Sequence, residues 1–191
     1  MTLALPPGPA RAPRRQIFVG TALACVAGTM LIGGQLAIWS LIRQRAVDAG
    51  ERFPASFEIP EVASNVMLMT LYVLCLFAQW TVYSVKRGDR MHAGLSLGIV
   101  ATMGVAFINA QAYVYHVMEM PVADGGYPGM FYAITATMLA LVGIGLGFTA
   151  VTAFRALGGR GELELVSAHA LYWYFVAAAF SGVWFLVYVT K

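Results

Sequence analysis

The chain has 191 residues, of which 60% are hydrophobic and 11% are charged, and its formal net charge is +3. A soluble domain carries about 25% charged residues, so this composition excludes an ordinary soluble domain. The charges lie in short groups between apolar runs, each with the roughly 20 residues that a membrane-spanning helix needs. There are five such runs, at residues 16–42, 62–85, 93–118, 129–154 and 166–190.

The first run is predicted to be a retained transmembrane helix. Residues 1–15 before it are rich in proline and are predicted to be disordered. They hold Arg11, Arg14 and Arg15, as the n-region of a signal peptide would, but a signal-peptide core has only about 7–15 residues. The run is much longer than that. After it, residues 43–60 form the longest predicted loop, with mixed charges and two prolines.

Three shorter segments are predicted to join the later helices. Residues 86–92 should form a tight antiparallel hairpin. Residues 121–129 contain two prolines and three glycines, which should not continue a helix. In residues 157–165 the pair Gly158 and Gly159 is expected to stop the fourth helix. The fold class is therefore all-α, a polytopic membrane protein with five transmembrane helices.

The five helices are expected to form one bundle, residues 16–191, with residues 1–15 as a cytoplasmic N-terminus. If the N-terminus is cytoplasmic, the cytoplasmic segments hold eight Lys and Arg residues and the opposite segments hold four. Cytoplasmic loops carry the excess of these residues, so the count favours this orientation. The net positive charge is then explained by membrane insertion, and no nucleic-acid partner is expected.

Small residues in two of the runs predict close helix contacts, because backbone approach drives association in lipid. These residues are Ala24, Gly28, Gly33 and Gly34 in the first run and Ala136, Ala140, Gly143 and Gly147 in the fourth. Two interpretations stay open. The favoured one is packing inside the bundle, and the other is contact with a partner subunit.

The ionisable residues argue against transport chemistry. Charged groups inside a span usually mark ion paths or proton relays, and no Asp, Glu, Lys or Arg lies in the central part of any run. His92, His116 and His169 are expected near the membrane interfaces, on different sides, so they should not form one metal site. Cys25 and Cys75 are expected to be small packing residues.

The remaining polar and aromatic residues indicate structure more than catalysis. Aromatic residues near the run ends are typical of an interfacial belt: Trp39, Tyr113, Tyr115, Tyr127, Tyr172, Trp173, Tyr174 and Tyr188. Amide and hydroxyl side chains within the runs are predicted to bond across helices: Gln35, Asn65, Gln79, Asn109, Gln111, Thr135, Thr137 and Ser181.

Residues 104–116, GVAFINAQAYVYH, carry a family resemblance. They resemble the pattern G-x-x-F-x-x-x-Q-x-x-E-Y of the cytochrome c oxidase subunit III family, including forms that continue with histidine. The matching residues are Gly104, Phe107, Gln111, Tyr115 and His116. The glutamate of the pattern is Val114 here.

Three further segments are similar to the same family. Residues 168–180 resemble its A-A-A-W-Y-W-H-F-V-D segment, residues 127–145 a segment that ends G-x-H-G-x-H-V-x-x-G, and the first run its S-S-E-x-M-F-F segment. Matches in the last run are Trp173, Phe175 and Val176, and Tyr174 stands for the family's histidine. Other polar family positions are replaced by Gly28, Met138, Leu141 and Ala177.

These replacements all remove polarity. Burying an unpaired carboxylate costs far more than burying an apolar side chain, and a buried polar network that loses one member leaves the others unsatisfied. We infer a divergent family member that kept the bundle and lost an internal polar network as a unit.

The resemblance implies a non-catalytic accessory subunit of a haem-copper terminal oxidase in aerobic respiratory electron transport. Its expected partners are the catalytic subunit I, which it would pack against and stabilise, other oxidase subunits, and membrane phospholipid. It implies no cofactor or metal in this chain, haem and copper in the partner subunits, and a multi-pass location in a bacterial plasma membrane. The residues expected in helix, partner or lipid contacts are Gly28, Asn65, Gln111, Tyr115, His116, Trp173 and Tyr174.

Two alternatives stay open at this point. One is an accessory subunit associated with a nitric oxide reductase, which the sequence does not separate from the first interpretation. The other is a small independent transporter or membrane enzyme. Transporters often contain broken helices in paired repeats, and the glycine-rich fourth run has no matching interrupted run.

Overall fold

The computed structural model describes residues 15–50, 60–121, 126–159 and 161–190. Within these ranges five helices follow one another: α1 Gln16–Asp48, α2 Glu61–Lys86, α3 Arg90–Met118, α4 Gly126–Leu157 and α5 Leu163–Val183. α5 continues directly into a π-helical segment, Trp184–Val189. All five helices are long and apolar enough to cross a membrane, which confirms the predicted five-helix fold.

α5 is the central helix of the bundle. It contacts α1, α2 and α4, and α3 packs between α2 and α4. Half of the most apolar window of α5 is buried (50%), compared with 11% of that of α1. The contacts described below show that α1 runs parallel to α5 and α2 antiparallel to it. We call the end of the bundle with Arg15, Lys86 and Arg155 the basic end.

The first helix is longer than predicted. The loop expected at residues 43–60 is wrong for residues 43–48, which remain helical in α1. Arginine, glutamine and alanine in that stretch are good helix formers. The first helix breaker is Gly50, whose φ of +74° is readily adopted only by glycine. Residues 51–59 of the predicted loop, like residues 1–14 of the predicted disordered segment, lie outside the described residues.

The other helix ends show how the chain turns. The predicted turn at 121–129 is wrong for its last four residues, because α4 begins at Gly126. Pro128 lies in the first turn of α4, where a missing N–H leaves no hydrogen bond unmade. α4 ends at Leu157 and Gly159 has a φ of +78°, so the predicted stop is confirmed. The hairpin is also confirmed, since only three residues separate α2 from α3. The predicted bounds of 86–92 are too wide, because Lys86 belongs to α2 and residues 90–92 belong to α3.

The glycines that pack closely are mostly not the predicted ones. A Cβ added to Gly33, Gly34, Gly143 or Gly147 would meet nothing within 4 Å. Packing inside the bundle is therefore wrong for these four, which lie on outward faces of α1 and α4. Their contact with a partner subunit stays a prediction.

Candidate functional site

The indole of Trp173 lies at the centre of the bundle and is completely buried. A Cβ added to Gly145 on α4 would lie 2.9 Å from this ring, and one added to Gly104 on α3 would lie 3.4 Å from it. The ring therefore occupies space that two glycines leave open. Gly104 and Trp173 belong to two separate motifs of the family resemblance, and the fold brings them together.

Two polar side chains, Thr149 and His169, meet the N–H of this indole. Trp173 Nε1 donates to Thr149 Oγ1 at 3.1 Å and lies 3.0 Å from His169 Nε2. Thr149 Oγ1 and His169 Nε2 are 2.9 Å apart. His169 and Trp173 stand on successive turns of α5, and Thr149 comes from α4. All three side chains are fully or almost fully buried.

The bonds of Thr149 favour one tautomer of His169. The Thr149 hydroxyl donates to the Gly145 carbonyl at 2.8 Å, so its oxygen is left to accept hydrogens. A His169 tautomer with its hydrogen on Nε2 supplies one. The buried Nδ1, which has no partner among the described residues, is then a bare acceptor. The other tautomer lets Nε2 accept from Trp173 Nε1 but leaves a buried N–H on Nδ1 without an acceptor, which we expect to cost more.

This environment corrects the expectation that His169 lies at a membrane interface. The interfacial assignment is also wrong for five of the eight aromatic residues, which are buried between helices: Trp39, Tyr127, Tyr172, Trp173 and Tyr188. The physical reason is that a Trp or Tyr near a helix end can hydrogen-bond within the bundle. Tyr172, for example, donates to the Leu141 carbonyl at 2.8 Å. Composition alone does not distinguish such a partner from the headgroup region.

The motif residues of α3 hold that helix to its neighbours. Gln111 Oε1 accepts from Tyr188 of the π-helical segment at 3.2 Å. Tyr115 donates to Thr135 of α4 at 2.7 Å. His116 is exposed, so the structure does not bring it together with the other motif residues.

Seven of the eight amide and hydroxyl side chains predicted to bond across helices do so in the described ranges. Besides the two bonds just given, Gln35 on α1 donates to Thr137 on α4 at 2.9 Å. The remaining pairs join α2 to α5 and its π-helical continuation: Asn65 with Trp184, Tyr72 with Ser181, and Gln79 with Tyr174.

The helix α1 is attached to α5 near both of its ends. Glu164 accepts hydrogen bonds from the first backbone N–H groups of α1. Farther along, Trp39 Nε1 donates to the Leu186 carbonyl at 3.1 Å. Leu186 lies in the π-helical segment. Sequence reasoning missed both contacts. The signal for the first is the start of α1 at Arg15, which is not one of the usual N-cap residues.

At positions where the chain departs from the family motifs, apolar residues pack closely in place of polar ones. Val114, Met138 and Ala177 are buried in one continuous apolar core. A Cβ added to Gly28 would lie 2.5 Å from the ring of Phe175. The glutamate of the family motif therefore has no room at this position unless Phe175 moves.

The described residues include no group of three or more His, Cys, Asp or Glu side chains that could hold a metal ion. Cys25 and Cys75 are buried free thiols, and Cys75 Sγ lies 3.5 Å from the Trp173 carbonyl. The side-chain hydrogen bonds described above between helices join neutral groups, and they orient the helices.

The family model of cytochrome c oxidase subunit III matches residues 25–191. The chain belongs to this family. It is similar to cytochrome c oxidase subunit 3 of Bos taurus, with 31% identity over 140 residues that cover 70% of this chain and 49% of the relative. Cytochrome c oxidase subunit 3 of Xenopus laevis is 29% identical, with the same coverage. The chain spans about half the length of the curated relatives that it matches. The match to the family model confirms the resemblance seen in its motifs.

Proposed function

We propose that the chain is a non-catalytic membrane subunit of a haem-copper terminal oxidase that packs against the catalytic subunit and stabilises it. The observation that carries this proposal is the match to the subunit III family over residues 25–191. Haem and copper are assigned to the partner subunits. The role of this chain would be structural, since its interior is organised as packed aromatic rings and neutral hydrogen bonds.

The Trp173 centre supports a structural role. The family motifs meet there as contact surfaces, with the indole of α5 against Gly104 of α3 and Gly145 of α4. Gly28, Val114 and Ala177 stand where the family patterns have carboxylates. A role that needs those carboxylates, such as support of proton uptake by the partner, is therefore not proposed here.

A groove between α1 and α5 supports the proposal of bound phospholipid. It has a volume of about 240 Å³ and apolar walls that include Ile32, Leu36, Phe175 and Gly182. An acyl chain has the chemistry to lie along such a surface. We place the basic end on the cytoplasmic side of a bacterial plasma membrane, following the excess of Lys and Arg there.

Purification of the tagged chain from its native membranes in a mild detergent tests the proposed function. The expected result is recovery of haem absorbance and of a copper-containing catalytic polypeptide in a fixed ratio to the tagged chain. Recovery of the folded chain without haem contradicts the proposal. Recovery of a haem protein without copper, as in a nitric oxide reductase, also contradicts it.

Deletion of the chain tests the stabilising role. The oxidase that assembles without it should keep its initial turnover but lose activity faster on warming. The matched control is the same deletion strain complemented with the chain. An oxidase without the chain that is as durable as the complemented enzyme would overturn the stabilising role.

A further inference from the structure

A row of polar side chains runs along the outside of α2, beside α5. Asn65, Tyr72 and Gln79 are exposed and stand seven residues apart. Seven residues are close to two helical turns, so the three side chains lie on one face of α2 at three depths across the span. Each of them is already hydrogen-bonded to α5 or its π-helical continuation.

The two carboxamides in this row, of Asn65 and Gln79, have N–H donors that their bonds to α5 and its π-helical continuation do not use. Asn65 Oδ1 accepts from Trp184 Nε1 at 2.8 Å, and Gln79 Oε1 accepts from the Tyr174 hydroxyl at 3.0 Å. Both bonds use the oxygens, and the two NH₂ groups make no hydrogen bond within the described ranges. Lipid hydrocarbon offers no acceptor, and an unsatisfied N–H there is costly. Such groups are expected to face another protein surface.

The spacing along α2 is that of a helix-packing seam. Met69, Leu76 and Tyr83 alternate with the three polar residues and are 61%, 71% and 55% exposed. Positions 65, 69, 72, 76, 79 and 83 are separated by alternating steps of four and three, the spacing of contact positions in coiled coils. We call these six residues the α2 seam. Left-handed packing of this kind is common among transmembrane helices.

At the basic end, the α2 seam lies next to the guanidinium of Arg87. Arg87 donates to the Tyr83 hydroxyl at 3.0 Å, with its guanidinium 5.4 Å from the centre of the Tyr83 ring. The ion pairs found in the described ranges are His92 with Asp89 and Arg155 with Glu162. The charge of Arg87 is thus not paired with a carboxylate within this part of the chain.

We propose that the α2 seam is the surface on which one transmembrane helix of another oxidase subunit docks, an inference that rests on the proposed function. The partner helix presents hydroxyl or carbonyl acceptors opposite Asn65 and Gln79, small residues opposite Leu76, and a carboxylate near Arg87. This complementarity satisfies the N–H donors and the cation together.

A second copy of the chain fits the seam less well. Copies inserted in the same direction can pair side by side only in parallel. Parallel pairing across the seam would place Arg87 against Arg87. This like-charge contact disfavours a second copy, so the seam favours a different polypeptide.

The variant Leu76→Trp tests the seam without disturbing the bundle, because this side chain points outward. The control is Val105→Trp on α3, where Val105 is 57% exposed. Each tagged chain is purified from native membranes in a mild detergent, and haem is measured per tagged chain. We expect Leu76→Trp to recover about tenfold less haem than the wild type, as for a loss of about 1.4 kcal/mol in affinity. Val105→Trp should recover the wild-type amount.

Thermal unfolding of the isolated variants separates docking from folding. Both tryptophan variants should unfold at the wild-type temperature. If Leu76→Trp recovers as much haem as the wild type, the seam is wrong and the proposed function stands. If Leu76→Trp unfolds at a lower temperature than the wild type, a photo-crosslinking residue is placed at position 76 instead of tryptophan. This residue reports the neighbour directly.

Crosslinking also separates the two proposals. Position 76 should capture one other membrane polypeptide, and position 105 on α3 should not capture it. If the wild type recovers no haem but position 76 still captures a single foreign polypeptide, the seam stands as a docking surface and the proposed function fails. Capture of lipid alone or of a second copy from position 76 overturns the seam. Capture of the partner from position 105 and not from position 76 also overturns it.

Discussion

Glu164 of α5 caps α1: its Oε1 accepts a hydrogen bond at 2.7 Å from the backbone N–H of Ile17, which lies 147 residues earlier in the chain. The same oxygen accepts from Phe18 N at 3.2 Å. The residue before α1, Arg15, provides no side-chain cap. A carboxylate at this position satisfies free N–H groups and interacts favourably with the positive end of the helix dipole. One side chain thus fixes the start of α1 against α5.

Removing this cap should loosen α1. We expect Glu164→Ala to lower the free energy of unfolding by about 1 kcal/mol, the usual cost of a lost N-cap. Thermal unfolding in detergent measures the loss, and hydrogen exchange at Ile17 and Phe18 should show faster exchange. Glu164→Gln keeps an acceptor and loses the charge, so its free energy of unfolding should lie between those of the wild type and Glu164→Ala.

The control for this prediction is Glu162→Ala. Glu162 pairs with Arg155 at 2.9 Å, and both side chains are largely exposed. An exposed pair of this kind contributes about 0–1 kcal/mol. Equal effects of the two alanine variants would show that the cap has no special role.

Alanine substitutions on α4 should separate the glycine that packs against Trp173 from those that face outward. In Gly145→Ala the new methyl group would lie 2.9 Å from the indole and 3.1 Å from the Tyr172 ring. Overpacking of this kind typically costs about 1–3 kcal/mol. Unfolding in detergent should show this loss.

Gly143→Ala is the matched control on the same helix, since a Cβ there meets nothing within 4 Å. It should be neutral or slightly stabilising, because glycine is less favourable than alanine inside a helix by about 0.5–1 kcal/mol. A Gly145→Ala chain as stable as Gly143→Ala would contradict the close packing of Trp173.

Thr149 should matter more than its neighbour Thr152, although both are buried. Thr149→Val removes the acceptor for Trp173 Nε1 and the partner of His169 Nε2. Leaving such a buried group unsatisfied costs about 1–3 kcal/mol. The Thr152 hydroxyl donates to the Phe148 carbonyl of its own helix, so Thr152→Val should be nearly neutral.

Two measurements check this difference. Thermal unfolding compares the two valine variants, and nitrogen NMR of labelled histidine reports the tautomer of His169. The wild type should carry the hydrogen on Nε2. A hydrogen on Nδ1 would mean that Trp173 donates to His169 in place of Thr149.

Asp89 should give the hairpin between α2 and α3 a pH dependence. The backbone N–H of His92 donates to its carboxylate at 3.1 Å, and this bond lowers the pKa of Asp89 from its ordinary value of 3.8, with a further contribution from the His92 ring. A lowered folded-state pKa means that the stabilisation is present above the unfolded pKa and is lost as the pH falls through the folded pKa.

The part of the difference in unfolding temperature between the wild type and Asp89→Ala that the carboxylate supplies should therefore be present above the ordinary pKa of 3.8. It should shrink as the pH falls below that value and the carboxylate takes up a proton. Asp89→Asn is the control, because asparagine also caps helices but does not titrate. A difference that is unchanged at the lowest pH would show that the carboxylate charge does not contribute.

Much of the fold follows from the sequence because the bilayer imposes a simple rule. Backbone polar groups in hydrocarbon must be satisfied internally, so long apolar runs become helices. The errors concern helix ends. Residues 43–48 and 126–129 were predicted to be loops because of nearby charges, glycines and prolines. Residues 43–48 are good helix formers, and Pro128 is compatible with a first turn.

The contacts within the bundle were harder to predict. Side chains such as Gln111 and Gln79 were predicted to bond across helices, because a polar group in lipid needs a partner. Which partner each one takes depends on helix rotation and order, which hydropathy does not encode. The same ambiguity explains the errors for His169 and Trp173, which composition places equally well at an interface or in a core.

By itself, the sequence determined that this chain is a five-helix membrane protein of the subunit III family, because apolar length and motif spacing are local properties. Only the tertiary structure decided which glycines pack and which face outward, where the indole of Trp173 lies, and that Glu164 caps α1. These features depend on residues far apart in the chain that meet only when five helices take one set of rotations. The physical reason is that apolar length fixes the number of spans, whereas close packing and buried hydrogen bonds fix their arrangement.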